Sequence, residues 1–247
     1  MSIALNSHTI SVVIPVFNEE KNIRELYSKI NTVLPSLNLP YEIIFVDDGS
    51  KDGTYEELKD IQTKDVYIKI VKLAKNYGQS YAFLAGFEFI KGDIVITMDG
   101  DLQNDPCEIK RFLIKIEGGF DFISGWRYNR KDTFLRKLIS AFANWFIGIR
   151  SGIRLHDYGC AFTAVKKELI ERLKSYGASA RFTKPLIARL ASSIFEVKVS
   201  HHPRRYDVSK YNLFRIITLG LDFFLNFDGE PKKIKKLPFI IEEIIGG

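Results

Sequence analysis

Along the first half of the 247-residue chain, apolar positions gather into short continuous runs separated by longer stretches of helical period. The runs are Thr9 to Val16, Tyr41 to Val46, Tyr67 to Leu73, Asp93 to Met98 and Phe120 to Ser124. Between them, Glu19 to Leu34, Thr54 to Ile61, Gln79 to Ile90 and Pro106 to Ile116 repeat apolar residues three and four apart, which predicts helices. Strand and helix alternating at this pitch predict an α/β fold, a mainly parallel sheet covered on both faces. The second half is less regular. A helical stripe occupies 134 to 149, and Tyr158 to Val165 and Ile194 to Val199 read as strands. Asn212 to Phe227 is strongly apolar, with Arg215, Thr218, Asp222 and Asn226 forming a narrow polar stripe.

In open α/β sheets ligands sit beyond the carboxyl ends of the strands. Polar residues fall at those ends: Asn18, Glu19 and Glu20 after the first strand, Asp47 to Ser50 after the second, Asp99 and Asp101 after the fourth. The first turn reads Pro15-Val-Phe-Asn-Glu-Glu20, acidic and without glycine, so it is not a dinucleotide-binding turn, and a P-loop is absent too. A nucleotide bound here must have its charge met another way. Two carboxylates on one short loop suit a hard divalent cation, Mg²⁺ or Mn²⁺, that keeps open positions for phosphate oxygens. An Asx turn or helix cap before Pro106 is the alternative for Asp-x-Asp alone; its alignment with two other acidic strand ends favours the ligand site.

Composition changes this picture little: 46% hydrophobic and 27% charged is ordinary for a folded protein. Cys107 and Cys160 are too few for a disulfide scaffold, which points to a reducing compartment. No secretory signal and no membrane-spanning run are expected. Charge adds more. The formal net charge is +6, with Lys and Arg clustered late, at 127 to 137, 204 to 210 and 232 to 236. Such clusters suit phosphate ligands, nucleic acid or an anionic membrane. The basic residues interleave with apolar stripes rather than with a nucleic-acid motif, so no nucleic-acid partner is expected. Adjacent His201 and His202 point to opposite faces if extended and make a poor chelate.

Taken in order, Ile14-Pro-Val-Phe-Asn-Glu19, Val46-Asp-Asp-Gly-Ser50, Lys75-Asn-Tyr-Gly78 and Met98-Asp-Gly-Asp-Leu-Gln103 resemble family 2 glycosyltransferases with the GT-A fold. Ser124-Gly-Trp-Arg127, Leu155-His-Asp-Tyr-Gly-Cys160 and His202 to Tyr211 resemble its polyprenyl-phosphate branch, which includes dolichol-phosphate mannose synthase. The resemblance spans roughly residues 9 to 227. It implies that Pro15, Glu19, Asp48, Lys75, Asn76, Asp99 and Gln103 bind the nucleotide-sugar donor, and that Asp99 and Asp101 hold the metal. It implies an important carboxylate at Asp157, orienting the attack, acting as a base, or pairing with an arginine. Arg127, Arg136, Arg204, Ser209 and Lys210 would meet the acceptor phosphate, with Asp101, Arg127 and Asp157 nearest the chemistry. Where the branch has Arg-x-x-Gly-x-Ser-Lys, this chain reads Arg204-Arg-Tyr-Asp-Val-Ser-Lys210, with Asp207 in place of glycine.

The implied reaction is inverting, metal-dependent transfer of a sugar from a UDP- or GDP-linked donor to dolichyl or undecaprenyl phosphate. A lipid monophosphate has its second pKa at about 6, by analogy with phosphorylated side chains, so it needs positioning more than deprotonation. A family 2 enzyme acting on a saccharide or protein hydroxyl, and a non-catalytic sugar-nucleotide- or membrane-binding subunit, are the alternatives. The division expected is a catalytic domain over 1–211 and an amphipathic helix with basic tail over 212–247. At about 24 Å, the helix from Asn212 to Phe227 is too short to cross a bilayer. With Lys232, Lys233, Lys235 and Lys236 it would instead form a two-signal anchor on the cytoplasmic membrane face. Docking on the domain or a dimer interface is the other use for such a helix. A membrane-anchoring subunit or a homo-oligomer would fit the same surface.

Overall fold

The computed structural model describes residues 8–128, 134–202, 222–223, 226–227 and 238–246, the side chains of 134–139 and 178 excepted. Four strands form the parallel heart of the sheet: β1 (Ile10–Val16), β2 (Tyr41–Asp47), β3 (Ile68–Leu73) and β4 (Ile94–Thr97). Beyond β4 lie β6 (Thr163–Lys166), β5 (Phe122–Arg127) and β7 (Ile194–Val199); beyond β3 lies β8 (Ile241–Ile245). The order is β7-β5-β6-β4-β1-β2-β3-β8.

Every residue of β1 is buried, as a central strand covered on both faces requires. Its side chains divide by parity. Ile10, Val12, Ile14 and Val16 join the core beneath α1 (Glu20–Ser36), α2 (Thr54–Gln62) and α4 (Ile109–Glu117). Val13 joins a second core on the opposite face, beneath α3 (Gln79–Phe87), α6 (Lys167–Lys174) and α7 (Thr183–Leu190). Between β5 and β6 runs α5 (Phe134–Ser151). Phe223 and Phe227 are buried in the second core, stacked on each other at 4.4 Å and edge-on to Phe182.

Strand direction decides which loops share a rim of the sheet. β5 and β7 are parallel, whereas β6 runs antiparallel to both β4 and β5, and β8 antiparallel to β3. An antiparallel strand begins at the edge where its parallel neighbours end. The segments leading into β6 and β8 are therefore delivered to the same rim as the loops leaving β1 to β5. The expected parallel sheet is present, and these two strands depart from it because hydrophobic periodicity encodes burial and not direction. α6 and α7, eight residues each, are too short to register in a helical window. Among the described residues no helix is long and apolar enough to cross a membrane.

Candidate active site

The loop after β4 is folded by its own polar side chains. Asp101 Oδ1 accepts the Gln103 amide at 3.1 Å, and Asn104 Oδ1 accepts the Asp99 amide at 3.0 Å. Leu102 takes a positive φ of 62° to complete the turn. Gly100 passes so close to β1 that a Cβ there would meet Val16 Cγ1 at 2.7 Å and Pro15 O at 3.1 Å. Asp99 accepts a hydrogen bond from Gln79 at the start of α3. The Gln103 side chain turns to the far strand end, where Nε2 donates to His202 O at 3.1 Å and contacts His201 Nε2 at 3.3 Å. His201 and His202 lie just past β7.

Thus the Asx turn, the alternative reading of Asp-x-Asp, is present, and it coexists with two carboxylates on one loop. Among the described residues no cluster of three or more His, Cys, Asp or Glu side chains could hold a metal. Asp99 and Asp101 alone offer hard oxygen donors and leave positions for water or phosphate. That donor set fits an octahedral divalent cation such as Mg²⁺ or Mn²⁺ that shares its shell with a substrate.

A cleft of about 490 Å³ opens between the ends of β1, β2 and β3, lined by Phe17, Gly49, Ser50, Lys75, Asn76 and others. Lys51 and Lys72 make it cationic, and Glu242 from β8 contributes to its wall. Lys75 and Asn76, expected at the donor, line this cleft together. Asp48 sits behind them: Oδ1 accepts the Tyr77 amide at 2.7 Å and Oδ2 the Gly78 amide at 2.8 Å, fixing the segment that carries Lys75. Gly49, at φ 69°, lies against that segment; a Cβ would meet Lys75 carbonyl carbon at 2.4 Å. Burial raises the Asp48 carboxyl above its usual value, partly offset by the two amides. Pro15 and Glu19 are not among the cleft's lining residues. Pro15 lies buried in β1, and Glu19 precedes α1, its Oε2 accepting Asn22 Nδ2 at 2.5 Å and its amide donating to Thr54 Oγ1 at 2.8 Å.

On the other side of the Asp99 loop, β5 ends in Arg127. Its Nε and Nη2 donate to the two oxygens of Asp157 at 2.7 and 2.9 Å, a bidentate pair. The Gly159 amide adds a third bond, to Asp157 Oδ1 at 3.0 Å. Asp157 reaches this place because its loop leads into antiparallel β6, held at the rim by Thr97 Oγ1 donating to Ala161 O at 2.5 Å. Burial alone would lower the Arg127 guanidinium, but hydrogen bonds and charge from Asp157, with smaller effects of Cys160 and Asp99, raise it overall. Arg127 is a permanent cation here.

Arg127 and Asp157 border a second, mostly apolar cavity of about 460 Å³ beneath α5 and α7, reached also by Gln79, Thr97, Phe146 and Phe223. Lys184 and Arg181 line it as well. Arg181 pairs with Asp222 at 2.7 Å. Sequence reasoning did not single out Gln79, Arg181, Lys184 or Glu242, each brought to the rim from an element whose own pattern carries no motif. Arg204, Ser209 and Lys210 lie outside the described residues, as do most of 212–237; Arg136 is on α5, its side chain not described.

Comparisons with known proteins bear on the family and the fold. A dodecaprenyl-phosphate galacturonate synthase of Rhizobium johnstonii is 38% identical over 92% of this chain and 70% of its own length. An undecaprenyl-phosphate 4-deoxy-4-formamido-L-arabinose transferase of Salmonella choleraesuis is 36% identical over 92% and 70%. The fold resembles that of glucosyl-3-phosphoglycerate synthase from Mycobacterium tuberculosis, crystallised with Mn²⁺, uridine diphosphate and glucosyl-3-phosphoglycerate. The TM-score is 0.65 at 19% identity, over 93% of this chain and 83% of the other. The model of Glycosyl transferase family 2 matches residues 11–173, and this chain belongs to that family.

Proposed function

We propose that this protein transfers a sugar from a nucleotide-sugar to a polyprenyl phosphate, with inversion at the anomeric carbon. The carrying observation is a juxtaposition: the apolar cavity of about 460 Å³ includes Gln79, Thr97 and Arg127 in its wall, and Gln79 also binds Asp99 of the acidic loop. A polyprenyl phosphate divides the same way, an apolar chain bearing an anionic head. The names of the two relatives, at 36% and 38% identity, support this acceptor class.

Asp101 and Asp99 would hold a divalent cation, Mg²⁺ or Mn²⁺, which when bound neutralises the donor diphosphate and the charge developing on it as leaving group. Lys75 and Asn76 meet the nucleoside, on a segment fixed by Asp48, and Gln103 faces the sugar. Arg127, with Arg136, Arg204, Ser209 and Lys210, receives the acceptor phosphate. An oxygen of that phosphate attacks the anomeric carbon; the bond from that carbon to the nucleoside diphosphate breaks, its electron pair leaving with the diphosphate. No general base is needed, because the nucleophile is already ionised near neutral pH. Asp157, with both oxygens occupied by Arg127, orients the guanidinium rather than removing a proton.

The enzyme works at a membrane surface, on the cytoplasmic face, as a peripheral protein. On α5, Phe142, Trp145 and Ile149 are 64%, 57% and 59% exposed at spacings that place them along one face. Such a stripe, next to the apolar cavity, suits insertion at the headgroup boundary. The test is incubation with Mn²⁺ or Mg²⁺, a panel of UDP- and GDP-linked sugars, and either farnesyl phosphate or soluble saccharide acceptors. Cation-dependent formation of a sugar-phosphate-lipid product is expected. Product on the soluble hydroxyl acceptor alone would overturn the reading.

A further inference from the structure

Lys184 is placed against its own interest. It sits in the first turn of α7, where the helix dipole disfavours a cation. The residue is half-buried at the wall of the apolar cavity, and desolvation of its ammonium lowers its pKa. No carboxylate bonds it among the described residues. Instead Nζ donates to three backbone carbonyls: Asp157 O at 2.5 Å, Cys160 O at 2.9 Å and Gly125 O at 3.5 Å. An ammonium has three protons, and here each has an acceptor. A buried polar group costs free energy unless bonded, and an apolar side chain of this length would fill the same space without that cost.

The three carbonyls belong to two segments that must meet for the site to exist. Gly125 is on β5, two residues before Arg127; Asp157 and Cys160 are in the loop leading into β6. That loop is pressed hard against the strand. A Cβ at Gly125 would meet Phe162 O at 2.6 Å, and one at Gly159 would meet Arg127 Nη2 at 2.9 Å. With so little slack, the position of the Asp157 main chain decides where its carboxylate presents the guanidinium. Displacements of about 1 Å at such a distance from the chemistry can cost about a hundredfold in rate.

We infer that Lys184 is a positioning residue for transfer: its ammonium staples the 157–160 loop to β5 and so sets the Arg127–Asp157 pair. The inference rests on the proposed role of that pair. Lys184 borders the apolar cavity, but its three donors go to main-chain carbonyls, so it acts on transfer through the Asp157 main chain.

The experiment is a double-mutant cycle on the full chain. Lys184→Met, Lys184→Arg, Asp157→Ala and the Lys184→Met/Asp157→Ala double variant are assayed with farnesyl phosphate and the sugar donor that supports wild-type transfer. UDP or GDP binding in Mn²⁺ is measured on each. Lys184→Met should lower kcat at least tenfold and leave the nucleotide Kd within twofold. Lys184→Arg, which keeps the charge and several donors, should recover part of the loss. In the Asp157→Ala background the lysine substitution should add less than a further twofold. Wild-type kcat in Lys184→Met, an undiminished effect in the Asp157→Ala background, or an equal loss of nucleotide binding would each overturn the inference. If Lys184→Met does not fold, Lys184→Gln takes its place under the same criteria. Full activity in Asp157→Ala would instead sink the reading of the pair, a different and recognisable result.

Discussion

Arg127 and Asp157 hold each other through two parallel hydrogen bonds, 2.7 and 2.9 Å, at the junction of the acidic loop and the apolar cavity. Their side chains are 14% and 5% exposed, so either one left alone would be a charge in a poorly hydrated place. Removing one partner of such a pair costs about 3–5 kcal/mol, much of it the penalty of the stranded charge. Arg127→Ala and Asp157→Ala should each lower stability by that order in urea unfolding. The double variant should lose clearly less than the sum, and additive losses would show that the pair is not coupled.

Asp101 can be tested without breaking its turn. Asp101→Asn keeps an oxygen for the Gln103 amide while removing the charge a cation requires. Unfolding free energy should stay within about 0.5 kcal/mol of wild type, as for substitutions that disturb no packing. Cation-dependent turnover should fall at least a hundredfold, a loss of about 2.7 kcal/mol of transition-state stabilisation. Turnover near wild type would remove Asp101 from the metal site.

Asp48 fixes the cleft wall indirectly, through the Tyr77 and Gly78 amides. Asp48→Ala should weaken nucleotide binding in calorimetry while leaving the acceptor KM unchanged. It should also cost about 1.5–3 kcal/mol of stability, the range for hydrogen bonds to a charged group. Weaker acceptor binding with intact nucleotide binding would contradict the placement.

Asp47 supplies a pH signature. It is buried, its Oδ1 accepts the Ser50 amide at 3.0 Å, and its Oδ2 has no hydrogen-bond partner among the described residues. Burial raises its pKa above the ordinary 3.8, partly countered by Ser50 and Lys72. The native state therefore binds this proton more tightly than the unfolded chain, and stability attributable to Asp47 falls as pH rises through that interval. Asp47→Asn should raise Tm at neutral pH, and the gain should vanish as pH drops towards 3.8. A gain that grows on acidification would reverse the assignment.

The α5 stripe gives a prediction about surfaces. Trp145→Glu combined with Phe142→Glu should abolish most co-sedimentation with anionic vesicles while leaving Tm unchanged, since both side chains are exposed. Undiminished vesicle binding would place the membrane contact elsewhere.

Much of the fold was legible from residue order. Ile10 to Val16 reads as a buried strand because all seven of its positions are covered, and that demand can be met only by apolar or small side chains. The acidic loop was legible too, because Asp99 and Asp101 are neighbours along the chain and follow directly from β4. α6 and α7 were not, being two turns each and drawing their stability from the sheet they cover. Nor was the pairing of Asp157 with Arg127, left open among several roles by the chain order alone.

By itself the sequence determined the alternation of layers, the parallel heart of the sheet and the identity of the carboxylates at its rim. Those follow from short-range patterns of burial and turn chemistry, which each segment carries within it. Only the tertiary structure decided which distant residues share that rim. The reversed directions of β6 and β8 bring Asp157 to Arg127 and Glu242 to the cationic cleft, and α7 sets Lys184 against the Asp157 loop. Strand direction is chosen by packing across the whole sheet, and periodicity, being the same read forwards or backwards, holds no record of it.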